Sequence, residues 1–179
     1  MSVLGRLLRR DSDEVVIETM RRKHVATIMP IERRSYPRPW STNVFASELE
    51  LARRGERTYL VARLGAEVIG YAGAMYALED AHVTNIAVAP EHRRSGVATR
   101  LLAELTWIAI ERGCTAQTLE VRVSNTAAQE MYRTFGFVPA GVRQRYYENV
   151  EDAIVMWCTD IAGESHAARL RELCPEAVR

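Results

Sequence analysis

The stretch Val88-Ala89-Pro90-Glu91-His92-Arg93-Arg94-Ser95-Gly96-Val97-Ala98-Thr99 joins an apolar run to a proline turn, two arginines and a glycine, just ahead of a helical pattern. These are the parts of an anion site. The first turn of a helix carries N–H groups without intrahelical partners and the positive end of the helix dipole. Gly96 lets the backbone approach a phosphate closely, Ala98 keeps the same face small, and Arg93 and Arg94 add charge. Such a loop fits a pyrophosphate. It is neither of the two common phosphate loops, because it contains no Gly-x-x-x-x-Gly-Lys and no Gly-x-Gly-x-x-Gly. The loop alone leaves a second reading open, an ordinary helix N-terminus on a basic surface.

Further along, Glu120 lies near the start of the strand pattern Leu119-Glu120-Val121-Arg122-Val123, an acid among apolar neighbours, where burial disfavours charge. Tyr132 falls on a short helical pattern beside Phe135, and Asn125 opens that helix as an N-cap. Each also has a plain structural reading: Glu120 in an ion pair with Arg122, Tyr132 as a core ring. His24, His82, His92 and His166 have no Ser or Asp partner that suggests a triad, and read as solvent-side or structural. Cys114, Cys158 and Cys174 are odd in number and widely spaced, with no Cys-x-x-Cys and no His pair at ligand spacing. That pattern argues for free thiols in a reducing cytosol, and against a disulfide framework or a metal site.

These residues need a scaffold. The chain of 179 residues is long enough for one domain with an extension, and can bury one substantial core. Hydrophobic residues make up 47% and charged residues 26%, which excludes a wholly disordered or fibrous chain. No apolar run approaches the roughly 18 residues of a membrane span, and the first ten residues have too short an apolar core for a signal peptide. The formal net charge is +1, so nothing demands a nucleic-acid or membrane partner. Lys23 is the only lysine beside many arginines.

Val15–Met20 reads as a strand by its β-branched content, and 24–35 as a helix that Pro37 and Pro39 terminate. Ser41 or Thr42 caps a second helix ending near Gly55. Strands follow at 58–64, 68–78 and 81–88, with turns at Gly65-Ala66-Glu67 and Glu79-Asp80. A long amphipathic helix spans 96–112, stopped by Gly113. A strand at 117–123, a helix at 125–135 and two closing strands at 138–145 and 152–159 complete the pattern. The order is β-α-α-β-β-β-α-β-α-β-β: an α/β fold with a mixed central sheet, antiparallel in its first half and flanked by helices. Residues 1–14 read as an N-terminal extension, 15–159 as the domain, and 160–179 as a polar tail with a helix near His166–Leu173.

Arg93-x-x-Gly96-x-Ala98 between a strand and a long helix resembles the acetyl-CoA signature of the GNAT N-acetyltransferases, and the element order matches that superfamily over 15–159. Leu119-Glu120-Val121-Arg122-Val123-Ser124-Asn125, Pro39-Trp40-Ser41, Asn85-Ile86-Ala87-Val88, Met131-Tyr132 to Phe137, Tyr146-Tyr147 and Glu151-Asp152-Ala153 are similar, more narrowly, to the ribosomal-protein alanine N-acetyltransferases within it. The departures are the leader, the tail, a shortened Tyr147–Glu151 loop, and Ala98 where glycine is commonest.

The resemblance implies acetyl transfer from acetyl-CoA to the N-terminal amine of a protein. The implied acceptor is the N-terminal alanine of ribosomal protein S-eighteen, with no direct nucleic-acid or membrane partner and a cytoplasmic location. It gives Glu120 the role of general base and Tyr132 that of donor to the departing sulfur. Arg93, Arg94, Ser95, Gly96, Val97, Ala98, Thr99 and Asn125 would hold the cofactor, with backbone groups of Ile86, Ala87 and Val88 pairing with its amide-bearing arm as a strand does. The Val88 N–H would donate to the thioester carbonyl. Tyr36, Trp40, Tyr146 and Tyr147 are the candidates for the acceptor groove. No cysteine sits in the motifs as a nucleophile, so attack is direct within a ternary complex. The same residues would serve a broader N-terminal or lysine acetyltransferase. A non-catalytic acetyl-CoA-binding domain would have no need of both Glu120 and Tyr132.

Overall fold

The strands and helices follow the order that the sequence predicts. The computed structural model describes residues 14–177; the leader assigned to 1–14 therefore lies, but for Glu14, outside the described residues. The elements are β1 (Val15–Thr19), α1 (Val25–Ser35), α2 (Thr42–Arg53), β2 (Arg57–Leu64), β3 (Glu67–Ala77), β4 (Asp80–Val88), α3 (Val97–Glu111), β5 (Ala116–Arg122), α4 (Thr126–Thr134), β6 (Val138–Tyr147), β7 (Glu151–Thr159) and α5 (Glu164–Leu173). Short 3₁₀ turns occupy Arg22–His24, Pro90–His92 and Pro175–Ala177. The seven strands form one sheet in the order β1-β2-β3-β4-β5-β7-β6. β4 and β5 are parallel, whereas β1–β2, β5–β7 and β6–β7 are antiparallel. No helix among the described residues is long and apolar enough to cross a membrane.

Local chemistry sets the boundaries. Tyr36 precedes Pro37 and is extended (φ −129°, ψ 136°), which ends α1. The Ser41 hydroxyl accepts from the Val44 N–H at 3.3 Å and caps α2. The turn expected at Glu79-Asp80 falls one residue earlier, at Leu78-Glu79. Asp80 is already paired with Ala116 of β5, and Leu78 takes the left-handed conformation at φ +55°.

The chain groups into two compact units. One contains the described residues through Ala72 together with Ile86–Leu101; the other contains Gly73–Asn85 and the residues from Leu102 on. The first is built on a cluster that includes Ile28, Ile31, Phe45, Tyr59, Val61 and Tyr71, each contributing roughly 1.5–3 kcal/mol by burial. In the second, Leu102, Leu105, Leu119, Phe135 and Met156 are buried. There the Thr106 hydroxyl donates to Gln117 Oε1 at 2.9 Å, joining α3 to β5. The polar tail folds as α5: His166 and Leu170 are buried, and His166 Nδ1 lies 3.7 Å from Cys158 Sγ on β7.

Candidate active site

In the first unit, the strand-to-helix loop has the conformation its glycine predicts. Gly96 sits at φ +82°, a region glycine occupies at little cost. A Cβ built there would meet nothing within 4 Å, so the position faces open space. The Arg100 N–H bonds to the Gly96 carbonyl at 3.0 Å, which leaves the amides of the first turn without intrahelical partners. Gly70 of β3 makes room for that turn: a Cβ there would come within 3.1 Å of the Ala87 carbonyl and 3.3 Å of Val97.

The two arginines differ. Arg93 Nε donates to the Val88 carbonyl at 3.2 Å and braces the loop against the end of β4. Arg94 is exposed and itself left-handed at φ +63°. The Ser95 hydroxyl donates to the His92 carbonyl at 2.5 Å, so it tightens the turn. The free amides, the open face at Gly96 and the exposed cation suit a pyrophosphate. Ala87 and Val88 are buried, and Ile86 is half-buried with its carbonyl accepting from the Tyr36 hydroxyl at 3.2 Å. Trp40 packs on Phe45 with ring centroids 5.4 Å apart.

In the second unit, the Glu120 carboxylate on β5 is only 9% exposed and is held from two sides. Oε2 lies 3.0 Å from His82 Nε2 and Oε1 lies 3.4 Å from Arg143 Nε. His82 Nδ1 is 2.7 Å from the Thr118 hydroxyl. Burial pushes the His82 pKa down, against the pull of Glu120, so the ring is neutral at pH 7. The network then assigns the tautomer: Thr118 O–H donates to Nδ1, and Nε2–H donates to Glu120. The Tyr147 hydroxyl donates to the Glu120 carbonyl at 3.0 Å.

The ion pair between Glu120 and Arg122 does not form. Arg122 instead reaches Glu148 at 2.7 Å and Glu151 at 2.9 Å, and lies over the Tyr147 ring at 4.1 Å. The tight β6–β7 turn presents two carboxylates to Arg122 and outcompetes the same-strand acid. Tyr146 is 47% exposed and packs edge-on against Tyr147. Tyr132 is buried on α4, 5.8 Å from Phe137, and burial pushes its pKa up to about 12. Asn125 caps α4, its side chain accepting from the Ala128 N–H at 3.2 Å.

Sequence reasoning missed His82, Thr118 and Arg143, and the histidines as a class read as bystanders. His24 and His166 are buried, which fits the structural reading, whereas His82 lies against the Glu120 carboxylate. The available signal was register: once β4 and β5 are parallel neighbours, His82 stands opposite Thr118, and Thr118 and Glu120 share a face because strand side chains alternate. Among the described residues the three cysteines are free and buried, and no group of three or more His, Cys, Asp or Glu side chains is placed to hold a metal.

The model of the acetyltransferase (GNAT) family matches residues 25–137. A Bacillus subtilis relative is 35% identical over 147 residues, covering 82% of this chain and 96% of its own length. The ribosomal protein bS18-alanine N-acetyltransferase of Escherichia coli is 38% identical over 131 residues, covering 70% of this chain and 84% of its own. The crystal structure of the Escherichia coli ribosomal-protein alanine N-acetyltransferase superimposes with a TM-score of 0.74 at 31% identity, over 84% of this chain and 97% of that one.

Proposed function

The chain belongs to the acetyltransferase (GNAT) family, and from that membership we propose that it transfers acetyl from acetyl-CoA to the N-terminal alanine of ribosomal protein bS18 in the cytoplasm. The observation that carries the reading is a buried carboxylate on β5, Glu120, fixed by a neutral His82 and by Arg143, together with a buried, protonated phenol at Tyr132. Bacterial relatives bearing the name of that activity support the choice of acceptor.

Acetyl-CoA supplies the thioester. The amides of Val97, Ala98 and Thr99 and the Arg94 guanidinium hold its pyrophosphate, Gly96 lets that group approach, and Arg93 and Ser95 keep the loop in shape. Backbone groups of Ile86–Val88 would pair with the pantetheine amides, and the Val88 N–H would be the donor available to the thioester carbonyl. Asn125 adds a cofactor contact beside its cap. Tyr36 and Trp40 in the first unit, and Tyr146 and Tyr147 in the second, are the candidate contacts for the acceptor.

A peptide α-amine has a pKa near 7.7–8.0 and is largely protonated at neutral pH. Glu120 takes that proton, directly or through a water, so the amine attacks as a neutral nucleophile. Tyr132 donates a hydrogen bond to the departing sulfur. Its pKa of about 12 keeps the phenol protonated throughout the cycle; against a thiol of about 8.5, its help lies in stabilising the developing thiolate. Tyr132→Phe keeps the ring packing and removes that donor. We expect kcat to fall roughly 10²-fold with acetyl-CoA affinity unchanged; unaltered kcat where chemistry is rate-limiting returns Tyr132 to core packing.

His82 acts as a positioning residue. His82→Leu leaves Glu120 with one fewer donor, and we expect kcat/KM at pH 7 to drop about tenfold, the scale of a lost buried hydrogen bond, with a changed acid limb in the pH–rate profile. A lowered melting temperature with an unchanged profile would make His82 structural only.

The acceptor is tested with peptides that differ in their first residues, reading CoA release and product mass. Turnover should favour the bS18 N-terminus beginning with alanine. Equal rates across the panel would support the broader N-terminal reading.

A further inference from the structure

Glu32 is in an unfavourable place for an acid. It is 2% exposed and lies in the last turn of α1, at the negative end of the helix dipole. Among the described residues no arginine, lysine or histidine pairs with it. Burying an acid without a counter-ion is costly, and that cost is offset only by the donors its two oxygens accept.

Its two oxygens do separate jobs. Oε1 accepts the backbone N–H of Trp40 at 2.6 Å, and Oε2 accepts the hydroxyl of Tyr71, a fully buried residue of the same core. The segment from Tyr36 to Ser41 between α1 and α2 has no regular structure, and Pro37, Arg38 and Pro39 are exposed. Glu32 therefore ties the far end of this segment to Tyr71, while the Tyr36 hydroxyl ties the near end to the Ile86 carbonyl of β4. Proline removes backbone donors at two of the intervening positions, so Trp40 offers the N–H by which the segment can be held from beneath.

We propose that Glu32, braced by Tyr71, is a positioning residue for acceptor recognition: its carboxylate fixes the Tyr36–Trp40 connection through the Trp40 N–H and sets acceptor affinity without touching the cofactor. This rests on the reading of Tyr36 and Trp40 as acceptor contacts.

The test uses the full chain as wild type, Glu32→Gln and Glu32→Leu. Steady-state kinetics gives KM and kcat for an N-terminal alanine peptide, calorimetry gives acetyl-CoA affinity, and amide exchange is followed at Trp40. Leucine offers no acceptor; the single carbonyl of glutamine serves one of the two donors. Peptide KM should rise in the order wild type, Gln, Leu, by about tenfold or more for Leu. Trp40 exchange should quicken in parallel, with kcat and acetyl-CoA affinity little changed. A folded Leu variant with faster Trp40 exchange and a wild-type peptide KM would overturn the proposal, as would equal losses of peptide and acetyl-CoA affinity. If the Leu variant does not fold, Gln decides: a several-fold rise in KM with faster Trp40 exchange supports the role, and a wild-type value of either overturns it. Failure of the wild type to acetylate any peptide N-terminus would sink the acceptor reading instead, and the Trp40 exchange would still report on the anchor.

Discussion

Glu120→Gln is expected to lower kcat/KM by at least about tenfold near pH 7 and to regain part of that loss above about pH 9, within the 10²–10⁴-fold range of general-base assistance. Glutamine keeps the shape of the side chain and still accepts from His82 Nε2, 3.0 Å from the carboxylate, but it cannot take a proton from the amine. As pH rises the amine loses its proton to solvent and the missing base matters less, so the defect must shrink. Stability should barely respond. The contact with Arg143 is 3.4 Å long and the arginine is 57% exposed, an arrangement worth no more than about 1 kcal/mol. A variant with wild-type kcat/KM at neutral pH would remove Glu120 from proton transfer. A loss that stayed constant across pH would make Glu120 a positioning group for the amine.

Gly96→Glu is expected to abolish acetyl-CoA binding in a protein that still folds. Its effect has two parts, and a control separates them. The left-handed φ of +82° penalises any side chain, by roughly 1 kcal/mol. The added carboxylate also projects into the open space where the pyrophosphate is to sit, and repels it. Gly113, at the C-terminal end of α3, has a φ of +83° and equally open space. Gly113→Glu should therefore show a comparable loss of melting temperature with acetyl-CoA affinity intact. Calorimetry showing unchanged affinity in folded Gly96→Glu would overturn the assignment of the loop.

The sequence made the scaffold legible because its punctuation is local. Pro37 ends α1 through Tyr36, Ser41 caps α2, and glycines end α3 and α4, so element order and type follow from neighbours in the chain. The anion loop was legible for the same reason: all its parts lie within a dozen consecutive residues. What surrounds the carboxylate was not legible. His82, Thr118, Glu120 and Arg143 come from three strands, and only the parallel pairing of β4 with β5 brings the first two opposite each other. The fate of Arg122 shows the same limit. On the strand, its same-face neighbour Glu120 is the obvious partner, but the antiparallel return of β6 and β7 brings Glu148 and Glu151 into reach. Glu32 falls with Ile31 on the apolar spacing of α1, but the partners that give it a task were not legible: the Trp40 N–H and the Tyr71 hydroxyl come from a loop and a strand outside the helix.

The most direct measurement is to incubate the protein with acetyl-CoA and a bS18 peptide that has a free N-terminal alanine and one internal lysine, and to locate the acetyl group by fragmentation of the product. The expected product carries one acetyl group on the alanine α-amine, with CoA released in equal amount and no product from a peptide whose N-terminus is blocked. Acetyl on the lysine side chain, with equal turnover of the blocked peptide, would contradict N-terminal transfer.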